Sequence, residues 1–134
     1  SSLKKRPVVN IFGNNYNTKD GSCIRDYIHV VDLANIHIEA LKKINFSKRS
    51  VILNCGYGKG ISVNQVVKKF QKIIKKKIII NYNNRRPGDV AQVYACILKL
   101  KKLLNWKPKY DNLGVMLKSA IMWEKKLNNI KFIL

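Results

Sequence analysis

The chain has 134 residues, 46% of them hydrophobic and 25% charged, which fits one globular domain over 1–134 and argues against two. The apolar share is too high for a disordered chain, and no run nears the ~18 consecutive apolar residues of a membrane span. Lys and Arg number 27 against 7 Asp and Glu, a net charge of +20 that often accompanies nucleic-acid binding.

The opening residues, Ser1-Ser2-Leu3-Lys4-Lys5-Arg6-Pro7, are basic with no apolar run behind them, so they do not read as a signal peptide. The lack of an initiator Met fits a piece of a longer protein. Val8-Val9-Asn10-Ile11-Phe12 is a β-branched run that predicts a strand, ended by Gly13-Asn14-Asn15 and a polar turn-forming stretch through Ser22. Ile24 to Val30 alternates apolar and polar residues, the pattern of a half-buried extended segment. A helix is expected from about Asp32, the capping residue, with Leu33, Ala34, His37, Ile38 and Leu41 on its inner face. Val51-Ile52-Leu53-Asn54-Cys55 reads as a buried strand closed by Gly56.

Ser62-Val63-Asn64-Gln65 has the form of a capping box, in which Ser62 accepts from the backbone of Gln65 and the Gln65 side chain reaches back. Behind it Val63, Val66, Val67, Phe70, Ile73 and Ile74 recur at helical spacing, with Lys68, Lys69, Lys72 and Lys75 toward water. A strand at Ile78-Ile79-Ile80, a loop over 81–89, a short strand at Val93-Tyr94-Ala95 and a helix over 97–104 follow. A last helix is expected over 112–127, with Leu113, Met116, Leu117, Ala120 and Ile121 inward. The pattern is mixed α/β.

Of the 27 cations, 22 are Lys and 5 are Arg, whereas folded phosphate and base sites lean on the planar fork of Arg. Lys, Ile (17) and Asn (15) are abundant together, and A/T-rich codons encode all three. The excess charge therefore reads as coding bias on solvated faces, with weak salt-sensitive adhesion to polyanions; a basic nucleic-acid-binding module is the competing class. Cys23, Cys55 and Cys96 form no C-x-x-C pair and, with His29 and His37, no zinc pattern. They read as buried free thiols of a reduced, intracellular protein.

Gly56-Tyr57-Gly58-Lys59-Gly60 lies between strand and helix, but Ile61 stands where a dinucleotide fingerprint needs its third glycine, and the expected ribose-binding acid is absent. It reads as a structural turn. Asp26, His29 and Asp32 make a small cluster without the geometry of a catalytic set. More telling are Arg25, and Arg86 within Arg85-Arg86-Pro87-Gly88-Asp89. Two fixed forks in turn-rich surroundings are suited to clamp a pyrophosphate through bidentate hydrogen bonds, with Asp89 free to accept from sugar hydroxyls. A structural salt bridge is the other reading of the same residues.

The stretch from Ile11 to Ala34, with Phe12-Gly13-Asn14, Thr18-Lys19-Asp20-Gly21 and Arg25-Asp26-Tyr27-Ile28-His29-Val30, closely resembles UDP-glucose 4-epimerases. Asn54, Gly56, Gly58, Gly60 and Ser62-Val63, then Arg85 to Asp89, then Leu104-Asn105-Trp106-Lys107-Pro108, resemble the C-terminal half of the same family in the same order. The resemblance implies a small mixed α/β substrate-binding domain, the C-terminal part of an extended short-chain dehydrogenase architecture without most of its Rossmann domain. It implies that Asn10, Ile11 and Phe12 line the uridine pocket, partly through backbone groups. Arg25 and Arg86, with Pro87 and Gly88 in the same loop, would meet the diphosphate, Asp89 the ribose, and Val93 the hexose. The small Val93 would leave room for an N-acetyl group. Asn15, Cys55 and Cys96 replace a usual Asp, Leu and Asp.

The family's NAD site and its catalytic Tyr-x-x-x-Lys pair belong to an N-terminal part, and none of the six tyrosines here has Lys four positions later. The resemblance thus implies a UDP-sugar-binding segment, silent by itself, of a cytoplasmic, homodimeric, NAD-dependent enzyme of galactose metabolism. A UDP-N-acetylglucosamine 4-epimerase, or a UDP-glucuronate epimerase or decarboxylase, is the nearest alternative.

Overall fold

The computed structural model describes residues 8–47 and 50–130; the signal-peptide reading of 1–7 lies outside them. Chain order is β1 (Val8–Phe12), β2 (Ile24–Arg25), α1 (Val30–Ser47), β3 (Ile61–Ser62), α2 (Val63–Ile74), β4 (Ile79–Asn83), β5 (Gln92–Val93), α3 (Leu98–Leu103) and α4 (Leu113–Ile130). The small mixed α/β fold expected from the resemblance is what is seen. β1 and β4 pair in parallel, Ile11 opposite Tyr82, while β2 sits between antiparallel β3 and parallel β5.

Two cores result. In one, alternate residues of β1 and β4 point down onto α2: Ile11, Ile78 and Val67 are buried, with Val9, Ile80, Val63, Phe70 and Ile74 around them. α4 then lies along α2. The other core joins α1 to α3 through Ile36, Ile97, Leu100 and Leu104. The capping box forms as the spacing predicts: Gln65 N donates to Ser62 Oγ, and Ser62 N donates to Gln65 Oε1.

Several expectations are corrected. α1 starts at Val30, and Asp32 is not its cap; His29 Nδ1 accepts from Val31 N at 3.1 Å instead. The inner face of α1 carries Asp32, Ile36 and Ala40, whereas Ala34, His37, Ile38 and Leu41 are exposed. The reason is Asp32, which rotates the helix to point its own carboxylate inward. Residues 51–55 form no strand, and Ile52 is 83% exposed, because no described strand lies alongside to pair with them. β4 runs on to Asn83, so the following loop starts later, and Tyr94 and Ala95 fall outside β5. Extended pairing in 24–30 is confined to Ile24 and Arg25, since Asp26 to His29 turn toward α1. Ala120 is exposed, and of the thiols Cys23 is buried, Cys55 half-buried and Cys96 exposed.

Asp32 is fully buried and accepts from Tyr57 Oη at 2.7 Å, Tyr110 N at 2.8 Å and Lys109 N at 3.1 Å. It thereby ties α1 to the glycine-rich loop and to the segment before α4. Burial alone would raise its carboxyl's affinity for a proton, but these donors outweigh it and hold the group below the usual carboxylate range. Burial, joined by the same bond, pushes the Tyr57 hydroxyl well above the usual phenol value. Stability from Asp32 is therefore present above the ordinary Asp value near ~3.9 and is lost as pH falls through its lower folded value. Asp32→Asn is expected to destabilise the chain by about 2 kcal/mol at neutral pH. In urea melts, the gap from the parent should narrow as pH drops below ~4; an unchanged gap would contradict this role.

Candidate functional site

The carboxyl ends of the parallel strands β1 and β4 open onto one edge of the molecule, the side of an α/β sheet where ligands usually sit. Phe12 closes β1, and Arg85 and Arg86 follow β4. Arg86, Pro87, Gly88 and Asp89 then form a tight turn, with Asp89 N donating to Arg86 O at 3.2 Å. Pro at the second position and a glycine with φ +81° at the third make this a type II turn, which a side chain at position 88 would strain. The turn folds Asp89 back so that Arg86 Nε donates to its Oδ2 at 2.9 Å.

The other oxygen of Asp89 faces Arg25 Nη2 at 3.5 Å. Arg25 is further held by donating from Nη1 to Ile24 O at 2.8 Å. One carboxylate thus gathers two guanidiniums, one from β2 and one from the turn after β4, about sixty residues apart. Exposed ion pairs of this kind add little stability, so their consequence lies in placement: two forks face one spot with net positive charge. The Arg86 guanidinium also lies over the Phe12 ring, 4.8 Å from its centre. Val93 is directly opposite Arg25 in the β2–β5 register and is 53% exposed.

Of the residues singled out by sequence, Phe12, Arg25, Arg86, Pro87, Gly88, Asp89 and Val93 are therefore brought together. Asn10 lies two residues before Phe12 on the same outward side of β1. The Ile11 side chain belongs to the core, leaving only its backbone to face a ligand. Arg85, Asn15 and Tyr16, given no role by the sequence, lie beside this site. Arg85 Nε donates to Asn15 Oδ1 at 2.8 Å, Arg85 Nη2 donates to Asn15 O, and the guanidinium covers the Tyr16 ring at 4.2 Å. Arg85 and Asn15 both fall in stretches that carry the resemblance, but no local spacing pairs them.

The remaining candidates have structural work. Asp26 accepts from Ala95 N at 3.0 Å and Tyr57 N at 3.4 Å, and His29 stacks on Tyr110 at 4.5 Å. With Asp32 committed as described, this trio forms no acid–base set. Nor do the described residues fit a dinucleotide. A Cβ on Gly56 would overlap the Asp26 carboxylate and one on Gly60 the Ile24 side chain, so these glycines serve close packing between segments. The N-terminus of α2, where a pyrophosphate would sit, is already served by Ser62, which donates to the Asp20 carboxylate, and by Ser22, which accepts from Asn64 N. Hydrogen bonds from Ser62 and Ser22 outweigh burial and keep Asp20 below the usual carboxylate range, a charge that would repel phosphate.

Comparison with known proteins places the chain in a family. The family model described as GDP-mannose 4,6 dehydratase matches residues 2–116. A UDP-glucose 4-epimerase of Azospirillum brasilense is 42% identical over 125 residues, covering 93% of this chain and 36% of that protein. The solved UDP-Glc/GlcNAc 4-epimerase from Campylobacter jejuni superposes with a TM-score of 0.82 at 39% identity, over 93% of this chain and 38% of that one. UDP-glucose 4-epimerase from Bifidobacterium longum, solved with NAD+ and UDP, gives a TM-score of 0.85 at 36% identity, over 96% and 38%. The chain spans little more than a third of the length of these relatives. It belongs to the family described as GDP-mannose 4,6 dehydratase and corresponds to the C-terminal part of UDP-glucose 4-epimerases.

Proposed function

We propose that this chain holds the UDP part of a UDP-hexose within an NAD-dependent UDP-glucose 4-epimerase. The observation that carries the reading is the convergence of Arg25 and Arg86 on Asp89 at the open ends of β1 and β4. A diphosphate has the charge and the paired oxygens to engage both forks. Asp89 then serves the ribose hydroxyls, Phe12 and the backbone of Asn10 and Ile11 border the base, and the hexose extends toward Val93. Binding energy is placed in the part of the substrate that does not react, leaving the sugar free to turn as its C4 is oxidised and reduced again. That redox step uses NAD and a Tyr–Lys pair supplied by an N-terminal part, in a homodimeric cytoplasmic enzyme of galactose metabolism. No residue described here performs it.

Calorimetric titration of the chain with UDP tests the clamp. Arg25→Ala and Arg86→Ala are each expected to weaken UDP binding by roughly tenfold to a hundredfold, since each removes a charge-assisted contact. Parental affinity in both variants would overturn the reading. Single-stranded DNA serves as the control for the basic-module alternative, because affinity due to lysine charge alone should fall steeply between ~50 and ~200 mM salt. With UDP-galactose and NAD supplied, the chain by itself is expected to form no UDP-glucose, as followed by proton NMR; measurable conversion would contradict a purely binding role.

A second reading concerns the hexose. Val93 is small, half-exposed and paired with Arg25, which favours acceptance of an N-acetylhexosamine nucleotide. In competition binding, UDP-N-acetylglucosamine is expected to rival UDP-glucose, and Val93→Tyr to reject the acetylated sugar selectively by tenfold or more. Strong rejection by the parent would refute this.

A further inference from the structure

We infer that Arg85 is a positioning residue, a latch that fixes the turn bearing Arg86 and Asp89 by docking its own guanidinium on Asn15 and Tyr16. The inference rests on the UDP-binding reading for its consequence, though the latch itself is a property of the free chain.

The turn needs such a tie. Residues 81–88 are all exposed, and a Cβ on Gly88 would meet nothing within 4 Å. Packing therefore does not hold the peptide that presents Arg86 and Asp89. Between the flanking backbone bonds from Gly13 N to Asn83 O and from Ile24 N to Ala91 O, its side chains supply the ties, and those of Arg86 and Asp89 are the ones a diphosphate and ribose would draw on. A ligand that competes for them loosens the turn's own restraints, unless something else holds it. Arg85 is that third tie, and it grips a different loop.

What it grips is rigid. Tyr16 is 5% exposed and its N–H donates to Gly21 O at 2.9 Å. Thr18 Oγ1 donates to Ser22 O at 2.8 Å, and Ser22 Oγ donates to Asp20 at 2.7 Å. Asp20 and Ser22 are in turn bonded to Ser62 and Asn64 at the start of α2. Arg85 thus couples the exposed turn to a loop that is itself fastened to a helix terminus. A planar guanidinium does this through three contacts at once: Nε to the Asn15 side chain, Nη2 to the Asn15 carbonyl, and its face on the Tyr16 ring. Lysine has the charge but neither the fork nor the plane. Holding a binding loop in its bound arrangement beforehand raises affinity by lowering the ordering cost.

Two readouts on the 134-residue chain test this, one without ligand. Amide hydrogen exchange over 86–90, the turn closed by Asp89 N–H, is expected to quicken about tenfold in Arg85→Ala, Arg85→Lys and Asn15→Ala, with exchange in α2 unchanged. UDP titration is expected to show roughly tenfold weaker binding in the same three variants, and no further loss in the Arg85→Ala/Asn15→Ala double variant. Asn15→Asp, which offers Arg85 a charged partner, should bind at least as tightly as the parent. Exchange at the parental rate in Arg85→Ala would overturn the latch, and parental UDP affinity in Arg85→Lys would show that charge alone matters and overturn it too. Failure of the parent to bind UDP would sink the UDP reading instead, while the exchange result still decides the latch.

Discussion

Seven carboxylates in a chain of +20 are scarce, and the five aspartates are spent as cross-links between segments far apart in sequence. Asp32 joins α1 to the glycine-rich loop and to Lys109 and Tyr110. Asp26 joins the end of β2 to Tyr57 and Ala95, Asp20 joins the first loop to the α2 cap, and Asp111 meets Lys59 at 2.8 Å. Asp89 does the same for Arg25 and Arg86. The physical reason is the fold's economy of strand pairing: among the described residues three of the five strands have only two residues, so backbone ladders do little of the joining. An ionised carboxylate with two lone-pair-rich oxygens can take donors from two or three segments at once.

The site inherits its geometry from this scheme. Two guanidiniums repel each other, and the shared Asp89 carboxylate offsets that repulsion without a ligand. Replacing that anion's contacts with those of a diphosphate exchanges one charge-assisted arrangement for another. Arg85, beside Arg86, is tied separately to Asn15 and Tyr16. Among the described residues the site holds guanidinium forks and a carboxylate, the same chemistry that frames the fold.

Legibility in the sequence followed the range of the interaction. The α2 cap was readable because Ser62 and Gln65 are three residues apart and their bonds are local. β1, the amphipathic α2 and the start of α3 were readable from periodicity within single segments. The inner face of α1 was not, because a buried Asp32 looks polar to any hydrophobic pattern and its donors lie at Tyr57, Lys109 and Tyr110. The run 51–55 has strand composition, but a strand also needs a neighbour, and composition does not supply one. Arg25 and Arg86 were legible as rare forks beside turn residues. Their union through Asp89, and the Arg85–Asn15–Tyr16 contact seventy residues across the chain, depend on tertiary placement that no local spacing records.

The central claim is that one diphosphate is shared by the guanidiniums of β2 and of the turn after β4. A crystal structure of the chain with UDP tests it most directly. The account predicts phosphate oxygens within hydrogen-bond reach of both Arg25 and Arg86, with the Asp89 carboxylate turned to the ribose. UDP seated instead on the lysines of α2, or touching only one of the two arginines, would contradict it.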